Sequence, residues 1–271
     1  MVSMGQTAAP LARDRGRAID HLARFIASSI DAAPYDETPF HHLRLEHVFP
    51  DDIYAAMLAA MPLPADYRPM SGRAGAKDLA DGVQTRVKID LFPEYIRGLP
   101  APKRQVWTLV GAALCSAAVR DAFRRRLARG LATRFGSAAS DVGLYPVPVL
   151  TRDFPGYRIG PHPDTHWKGI TVQLYLPHDA SIAHVGTAFL EPMPDGGFAT
   201  REQMPFVPNS GYAFVVDKDT WHSAGPIGPE VTSRDSILLT YFIDRGALRR
   251  LRNRGKRIGN FVLNEWRRRR E

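Results

Sequence analysis

The sequence predicts an α+β protein, with an all-β core in its second half and supporting helices in its first half. Between residues 169 and 242, apolar and polar residues alternate in several short runs, which is typical of half-buried strands. Between residues 19 and 131, apolar residues instead recur at spacings of three and four, which is typical of amphipathic helices. The 271 residues suffice for one large core, and a hydrophobic content of 44% is ordinary for a folded domain.

Three regions are expected within a single structural domain. Residues 1–140 are predicted to form a mainly helical support with short strands, residues 141–244 the β core, and residues 245–271 a basic helical tail. The tail carries 11 basic and 2 acidic residues, a net charge of +9, whereas the remaining chain carries −1. The simplest interpretation of the tail is a solvated helix; contact with nucleic acid, anionic lipid or a partner subunit is the alternative.

The first half begins with a helix that is expected to end before Pro34. Its apolar positions are Ile19, Leu22, Ile26 and Ile30. A short strand, residues 43–48, leads through Pro50 to a helix that is expected to end near Met61, with Asp51 and Asp52 as its caps. A longer helix is expected to begin after Pro102 and to bury Trp107, Val110, Leu114, Phe123, Leu127 and Leu131.

A loop and a strand are expected between these helices. Residues 66–82 contain Pro69 and three glycines and show little periodicity, so they predict either a mobile lid or a plain surface loop. Residues 83–91 alternate, with Gln84, Arg86, Lys88 and Asp90 on one face. If that face lines the mouth of the core, Arg86 is suited to an acidic group of a substrate; a solvent-facing edge is the alternative.

Strands of the β core are expected at residues 169–176, 211–216 and 234–242. In the first of these, Thr171, Gln173 and Tyr175 share one face, and apolar residues occupy the other. In a small barrel whose interior is a ligand cavity, the polar face points inward. Thr171 and Tyr175 are therefore candidate cavity residues.

His162 and Asp164 precede the first of these strands, and His222 follows the second. Residues i and i+2 of a strand lie on the same side, roughly 6.5 Å apart, so His162 and Asp164 can share one metal ion. Pro163 cannot donate a ladder hydrogen bond, which predicts a strand start or a sheet edge. Two imidazoles and one carboxylate on one face of a ferrous ion leave three positions open, so this trio is a candidate oxygen-activating site. Singly, each residue also has a structural interpretation, as a loop histidine, a turn carboxylate or a buried histidine.

Arg234 and Ser236 share a face of the last strand by the same period of two. A planar guanidinium beside a hydroxyl is suited to a carboxylate, which arginine binds through paired hydrogen bonds. A ligand with a carboxyl group is therefore expected near the metal.

Three short motifs, His162-Pro163-Asp164, Trp221-His222 and Arg234-Asp235-Ser236, together resemble the pattern of the Fe(II)- and 2-oxoglutarate-dependent dioxygenases. Residues 157–164 also resemble the metal-binding segment of that superfamily, and the resemblance covers about residues 145–243. It implies a double-stranded β-helix, or cupin-like jelly roll, with iron at one open end. It also implies that Arg234 and Ser236 bind the distal carboxylate of 2-oxoglutarate, and that O2 converts this co-substrate to succinate and CO2 while the primary substrate is oxidised.

Other residues near the ligand-bearing strands are candidate contacts. Thr171 and Tyr175 are expected to help bind 2-oxoglutarate. The candidate contacts to the primary substrate are Arg86, Tyr157, Lys168 and Trp221. For Lys168, a solvated position at a strand start is the alternative.

The expected activity is hydroxylation of an unactivated C–H bond in a small molecule, such as an amino acid or a natural-product intermediate, in the cytoplasm. No apolar run reaches the length of a membrane span, residues 1–17 lack an apolar signal core, and the single cysteine, Cys115, cannot form an internal disulfide. Neither a nucleic-acid nor a membrane partner is expected. Two alternatives stay open: a protein side-chain hydroxylase, which an extended groove beside the iron would favour, and a non-catalytic jelly-roll binding module.

Overall fold

The computed structural model describes residues 8–70 and 84–244, with side chains from residue 14 onward. Most of the loop expected at residues 66–82 and the whole basic tail, residues 245–271, lie outside the described residues. Their predicted roles as lid and as solvated helix are therefore not addressed by the structure.

Six helices are found in the described part of the chain, and all lie before the main β region. They are α1 (Ala8–Ala32), α2 (Asp51–Ala59), α3 (Pro93–Ile96), α4 (Ala101–Leu114), α5 (Ala117–Arg126) and α6 (Ala128–Phe135). Short 3-10 turns lie at Pro64–Asp66, Gly136–Ala138 and Ala183–Val185. The predicted fold class, a β core with supporting helices, is therefore confirmed.

Twelve strands are described, and they form two sheets. They are β1 (Tyr35–Asp36), β2 (His42–Glu46), β3 (Arg68–Pro69), β4 (Arg86–Asp90), β5 (Gly143–Asp153), β6 (Ile159–His162), β7 (Lys168–Tyr175), β8 (Thr187–Pro192), β9 (Phe198–Met204), β10 (Ser210–Val215), β11 (His222–Ala224) and β12 (Arg234–Asp244). The larger sheet has the order β1-β2-β10-β7-β12-β5-β4-β3, and the smaller has the order β6-β11-β8-β9. All the pairings are antiparallel.

The connectivity of β5 to β12 is that of a jelly roll. Along the chain these strands alternate between the larger and the smaller sheet, except that β8 and β9 form a hairpin within the smaller one. Four of them, β5, β7, β10 and β12, are neighbours in the larger sheet, and the other four make up the smaller sheet. The expected fold is confirmed as two facing sheets rather than a closed barrel in the described residues.

The larger sheet buries both of its faces, and the two faces differ in chemistry. On β7, Ile170, Val172 and Leu174 belong to a core that also contains buried residues of α1, α4 and α5. On the opposite face of the same sheet, Tyr175 and Tyr212 belong to a second core, which lies between the two sheets. The predicted inward direction of the polar face is therefore correct, because the apolar face is covered by the helices.

The expected single helix after Pro102 is wrong, because α4, α5 and α6 replace it. Ser116 has extended backbone angles, and its hydroxyl accepts a hydrogen bond from the backbone N–H of Val119, so it ends one helix and caps the next. The break before α6 allows Gly130 to approach the sheet so closely that a Cβ there would lie 2.7 Å from the Cβ of His41. Apolar periodicity persists across such breaks, so it did not reveal them.

The N-cap of α2 lies one residue before the predicted capping residues. Asp51 and Asp52 are the first helical residues, and Pro50 occupies the capping position without a side-chain hydrogen bond. Two carboxylates in the first turn still favour the helix, because its N-terminus carries a partial positive charge.

Among the described residues, no single helix combines the length and apolar composition of a membrane span. Helices α4 and α5, whose axes differ by 46°, reach that length and apolar composition only when the two are taken together.

Candidate metal centre

The smaller sheet brings the three predicted metal ligands together. His162 ends β6, an edge strand, and lies directly opposite His222, the first residue of β11. Asp164 follows two residues after His162, beyond Pro163, which agrees with the expected edge position. One ligand atom from each of these three side chains lies within 4.8 Å of the others. Two nitrogens and one carboxylate oxygen therefore converge on a single point.

Backbone carbonyls determine which imidazole nitrogen is available at each histidine. Nδ1 of His162 lies 2.9 Å from the carbonyl oxygen of Gly160, and Nδ1 of His222 lies 3.0 Å from that of Thr220. A carbonyl oxygen can only accept, so each Nδ1 carries the hydrogen. Nε2 of each ring is therefore the nitrogen without a hydrogen, which is the arrangement found when a second contact orients a metal-binding histidine.

Asp164 is a buried carboxylate that stays ionised. Burial alone would raise its pKa, but the positive charge of Lys168, helped by His222 and by hydrogen bonds, lowers the pKa to about 2. The Lys168 ammonium donates to one carboxylate oxygen, and the Thr171 hydroxyl donates to the other at 2.5 Å. Lys168 is itself buried, so the interpretation of this residue as a solvated side chain at a strand start is wrong.

His222 is held as a neutral imidazole. Burial lowers its pKa to about 4, and the negative charge of Asp164 offsets only part of this effect. The ring packs 5.0 Å from Phe214 and 4.4 Å from the ring of His162, measured between centroids. Both Asp164 and His222 are therefore in the protonation state that binds a metal ion at neutral pH.

A cavity with an interior volume of about 40 Å³ opens from the metal centre between the two sheets. Its polar or charged lining residues are Arg86, Tyr157, His162, Asp164, Lys168, Thr171, Gln173, Thr187, Tyr212, His222, Ser223 and Arg234. Eight site residues were predicted besides the three metal ligands. Five of them line the cavity, namely Arg86, Tyr157, Lys168, Thr171 and Arg234, whereas Ser236, Tyr175 and Trp221 do not.

Two arginines of this cavity share one buried carboxylate. Asp153, at the end of β5, lies opposite Arg86 of β4 on one side and Arg234 of β12 on the other. Nε and Nη2 of each arginine donate to Asp153, and Nη1 of Arg234 also donates to the backbone carbonyl of Val185 at 2.5 Å. Burial would raise the pKa of Asp153, but the two guanidinium groups lower it below its ordinary value. The solvent-facing interpretation of Arg86 is therefore wrong.

Tyr157 lies against both of these arginines. The guanidinium carbons of Arg86 and Arg234 lie 4.1 Å and 5.2 Å from the centre of its ring, and the residue is fully buried. A guanidinium over an aromatic face is attracted by the ring quadrupole. Tyr157 therefore contacts both cations that line this end of the cavity.

Ser236 and Tyr175 were both expected to contact the co-substrate, but their hydroxyl groups form hydrogen bonds with other side chains of the protein. The Ser236 hydroxyl lies 2.9 Å from that of Thr151 and accepts from the amide of Gln173 at 3.0 Å. The Tyr175 hydroxyl donates to Thr187. The cavity walls are instead formed by Gln173 and Thr187, so Ser236 and Tyr175 stand behind them.

Trp221 is placed outside the cavity lining, although it precedes a metal ligand. Its ring packs 4.8 Å from that of Phe198, an exposed residue of β9. The sequence prediction missed Asp153, Gln173, Thr187 and Tyr212. Gln173 shares a face with Thr171 by the period of two, so the alternation already contained a signal for it. Asp153 has no comparable local signal.

No family model matches the sequence, and no curated protein matches it. Solved structures do resemble the fold. A prolyl-4-hydroxylase from Pseudomonas putida has a TM-score of 0.49 and 16% identity, over 80% of this chain and 98% of its own. A prolyl hydroxylase from Trichoplax adhaerens, in complex with a peptide fragment of the hypoxia inducible factor oxygen degradation domain, has a TM-score of 0.48 and 11% identity, over 87% of this chain and 93% of its own.

A third similar structure is the dioxygenase for auxin oxidation 1 from Arabidopsis thaliana, in its 2-oxoglutarate binary complex. Its TM-score is 0.48 and its identity 12%, over 75% of this chain and 84% of its own. The first two of these proteins are hydroxylases by name, and the third is a dioxygenase.

Proposed function

We propose that this protein is an Fe(II)- and 2-oxoglutarate-dependent dioxygenase that hydroxylates an unactivated C–H bond of a small molecule. The observation that carries the proposal is the convergence of His162, Asp164 and His222 on one point, in the same cavity as Arg234. The triad supplies a facial ligand set for iron, and the arginine supplies a receptor for a carboxylate.

The donor chemistry of this chain fits iron. His162 and His222 offer Nε2 lone pairs because their Nδ1 hydrogens are donated to carbonyls, and Asp164 offers an ionised carboxylate. These three residues would hold the metal. When bound, iron supplies the redox centre at which O2 oxidises 2-oxoglutarate to succinate and CO2 and the primary substrate receives an oxygen atom.

The remaining cavity residues bind the co-substrate and limit the access of water. Arg234 attracts the distal carboxylate of 2-oxoglutarate. The hydroxyl of Tyr212 donates to the side-chain oxygen of Gln173 at 2.8 Å and lies 3.1 Å from the hydroxyl of Thr187, which keeps these polar walls in place. The pKa of Tyr212 is raised well above its ordinary value by burial, so its phenol remains protonated. Aromatic rings, including those of Phe189 and Phe214, pack around Tyr212 and close the space behind it.

A small primary substrate is favoured by the narrowness of the cavity, whose interior volume is about 40 Å³. A free or carrier-bound amino acid, or another small natural-product intermediate, is the substrate class we propose. Turnover of peptides but of no small molecule in a substrate screen by succinate release would instead favour a protein side-chain hydroxylase.

The test is an anaerobic titration of the purified protein with Fe(II) and then 2-oxoglutarate, followed by visible absorption. We expect the weak charge-transfer band of the iron–2-oxoglutarate chelate in the parent protein. Asp164→Ala removes a metal ligand, so the band should disappear. Arg234→Gln removes one carboxylate donor, so the band should need at least tenfold more 2-oxoglutarate.

The control is Arg201→Gln, which removes an exposed arginine paired with Glu191 on the smaller sheet. This variant should titrate like the parent. A folded parent protein that shows no band and binds no Fe(II) would overturn the proposal in favour of a non-catalytic binding module. An Arg234→Gln variant that binds 2-oxoglutarate as tightly as the parent would overturn the role of Arg234.

A further inference from the structure

The row Arg86–Asp153–Arg234 contains more positive than negative charge. Three neighbouring strands of the larger sheet, β4, β5 and β12, present these side chains in cross-strand register on the cavity face. All three residues are buried, with Arg234 and Asp153 at 1% and 0% exposure. Two guanidinium groups and one carboxylate leave one positive charge without compensation inside this cluster. Such a charge is costly to bury, so the cluster is suited to one further anion.

The hydrogen bonds define where that anion would bind. Each arginine donates to Asp153 through Nε and Nη2, which form one edge of the planar guanidinium. The second edge of each guanidinium, formed by Nη1 and Nη2, does not face Asp153. On Arg234, one Nη1 hydrogen is donated to the Val185 carbonyl, which leaves the second. Both guanidiniums therefore keep N–H donors beyond those that hold Asp153.

We propose that Arg86 and Arg234 together form a receptor for a single carboxylate, the distal carboxylate of 2-oxoglutarate, and that Asp153 is the positioning residue that aligns them. This inference rests on the proposed function and deepens it. It replaces the expectation that Arg86 contacts the primary substrate. The chain thus binds its co-substrate with two arginines from different strands, on either side of a buried counter-ion.

Charge balance argues for one shared carboxylate rather than two separate ones. One ligand carboxylate makes the cluster neutral, whereas a second, from a primary substrate on Arg86, would leave a buried negative charge. The geometry agrees, because both guanidiniums lie on the ring of one tyrosine, Tyr157, and hold the same carboxylate of Asp153. The two cations therefore point into one space rather than toward separate ligands.

The test compares two ligands that differ only in the distal carboxylate. 2-Oxoglutarate and 2-oxovalerate have the same keto acid end and chain length, but 2-oxovalerate ends in a methyl group. Their dissociation constants are measured by isothermal titration calorimetry on protein loaded with Mn(II), which needs no turnover. The preference, meaning the ratio of the two constants, isolates the contribution of the distal carboxylate in each variant.

The variants are Arg86→Gln, Arg234→Gln and a matched control, Arg152→Gln. Arg152 lies next to Asp153 on β5 and pairs with Asp235 of β12, so it is also an arginine–aspartate pair across these strands, outside the cavity lining. We expect Arg86→Gln and Arg234→Gln each to reduce the preference for 2-oxoglutarate by about 10- to 100-fold. Arg152→Gln should retain the preference of the parent protein.

The outcomes separate this inference from the function on which it rests. If the Mn(II)-loaded parent binds neither ligand, the proposed function fails. If the parent prefers 2-oxoglutarate and Arg86→Gln keeps that preference within about threefold, only the shared receptor is overturned. Should Arg86→Gln fail to fold, Arg86→Met serves instead, because it removes the charge and the N–H donors but keeps a long, unbranched side chain. A preference unchanged in Arg86→Met would also contradict the shared receptor, whereas a reduced preference with an unaltered affinity for 2-oxovalerate would support it.

Discussion

His222 is the metal-site residue whose protonation differs most between the folded and the unfolded chain. Its pKa is about 4 in the folded protein and 6.5 in the reference state, because burial disfavours the imidazolium. Between these two values the unfolded chain binds a proton that the folded protein does not bind. Acidification from pH 6.5 to pH 4 therefore favours unfolding, and this contribution amounts to roughly 3 kcal/mol at pH 4.

We predict that the free energy of unfolding of the metal-free protein falls over this pH window and that His222→Gln removes this part of the dependence. Urea unfolding at pH 7, 6, 5 and 4.5 measures it. The control is His184→Gln, at an exposed histidine, and its free energy of unfolding should depend on pH as that of the parent protein does. Asp164 acts separately, because its pKa of about 2 lies below the reference value of 3.8, so its stabilisation is lost only in stronger acid. Equal slopes in the parent and in His222→Gln would contradict the prediction.

Two of the candidate metal ligands, His162 and Asp164, were predictable from the sequence for a local reason. The two positions of His162 and Asp164 are related by the period of a strand, which is a local property of the backbone. Asp153 could not be found in the same way. Its partners, Arg86 and Arg234, are 67 and 81 residues away, and only the register of three strands brings them together.

The β7–β10 pair shows how closely two elements of the core approach each other. At Gly211 of β10, an added Cβ would lie 2.1 Å from the carbonyl oxygen of Gln173 on β7. That oxygen belongs to the backbone, so it cannot move without shifting the strand. Gly211 is thus required by the separation of two strands, one of which carries the cavity residues Thr171 and Gln173.

We predict that Gly211→Ala lowers the free energy of unfolding by about 1–3 kcal/mol, the usual cost of overpacking a buried site. Chemical denaturation of the metal-free protein measures this change. Gly225→Ala is the matched control, because a Cβ there would meet nothing within 4 Å, and its effect should stay within about 0.5 kcal/mol. Comparable stabilities for the two variants would show that the strands separate without cost.

Elements were predicted with uneven success. The strands at residues 169–176, 211–216 and 234–242 were found because alternation is a strong local signal when one face is apolar. The helix expected after Pro102 was wrong in its length, because the close approach of Gly130 to His41 and Val215 depends on tertiary packing. The edge position of β6 was anticipated from Pro163, since proline cannot donate within a sheet.

The helices and the larger sheet share one hydrophobic core that extends through most of the described residues. Ile26 of α1, Trp107 of α4 and Leu239 of β12 are all fully or almost fully buried in the same core. The indole N–H of Trp107 also donates to the carbonyl of Ala60 at 2.8 Å, which joins α4 to the end of α2. The expected boundary near residue 140 therefore divides the chain in sequence but crosses a shared core.

We predict that Ile26→Ala destabilises the entire protein by about 2–5 kcal/mol, because it leaves a cavity in this shared core. Far-ultraviolet circular dichroism and tryptophan fluorescence should report one coincident unfolding transition, shifted to lower denaturant. Leu63→Ala, at a leucine that is 62% exposed, should change stability by less than about 0.5 kcal/mol. Separate transitions for the two probes would mean that the helical region and the β core unfold independently.

The class of fold, the three residues of the candidate metal triad and the expected role of Arg234 could be predicted from the sequence. These features depend on short spacings and on the order of motifs along the chain, which do not require knowledge of long-range contacts. Three-dimensional packing was needed to show that Ser236 lies behind Gln173, that Arg86 is buried, and that Asp153 holds two arginines. The physical reason is that strand register and sheet order determine which distant side chains share a buried space, and neither is encoded in any local period.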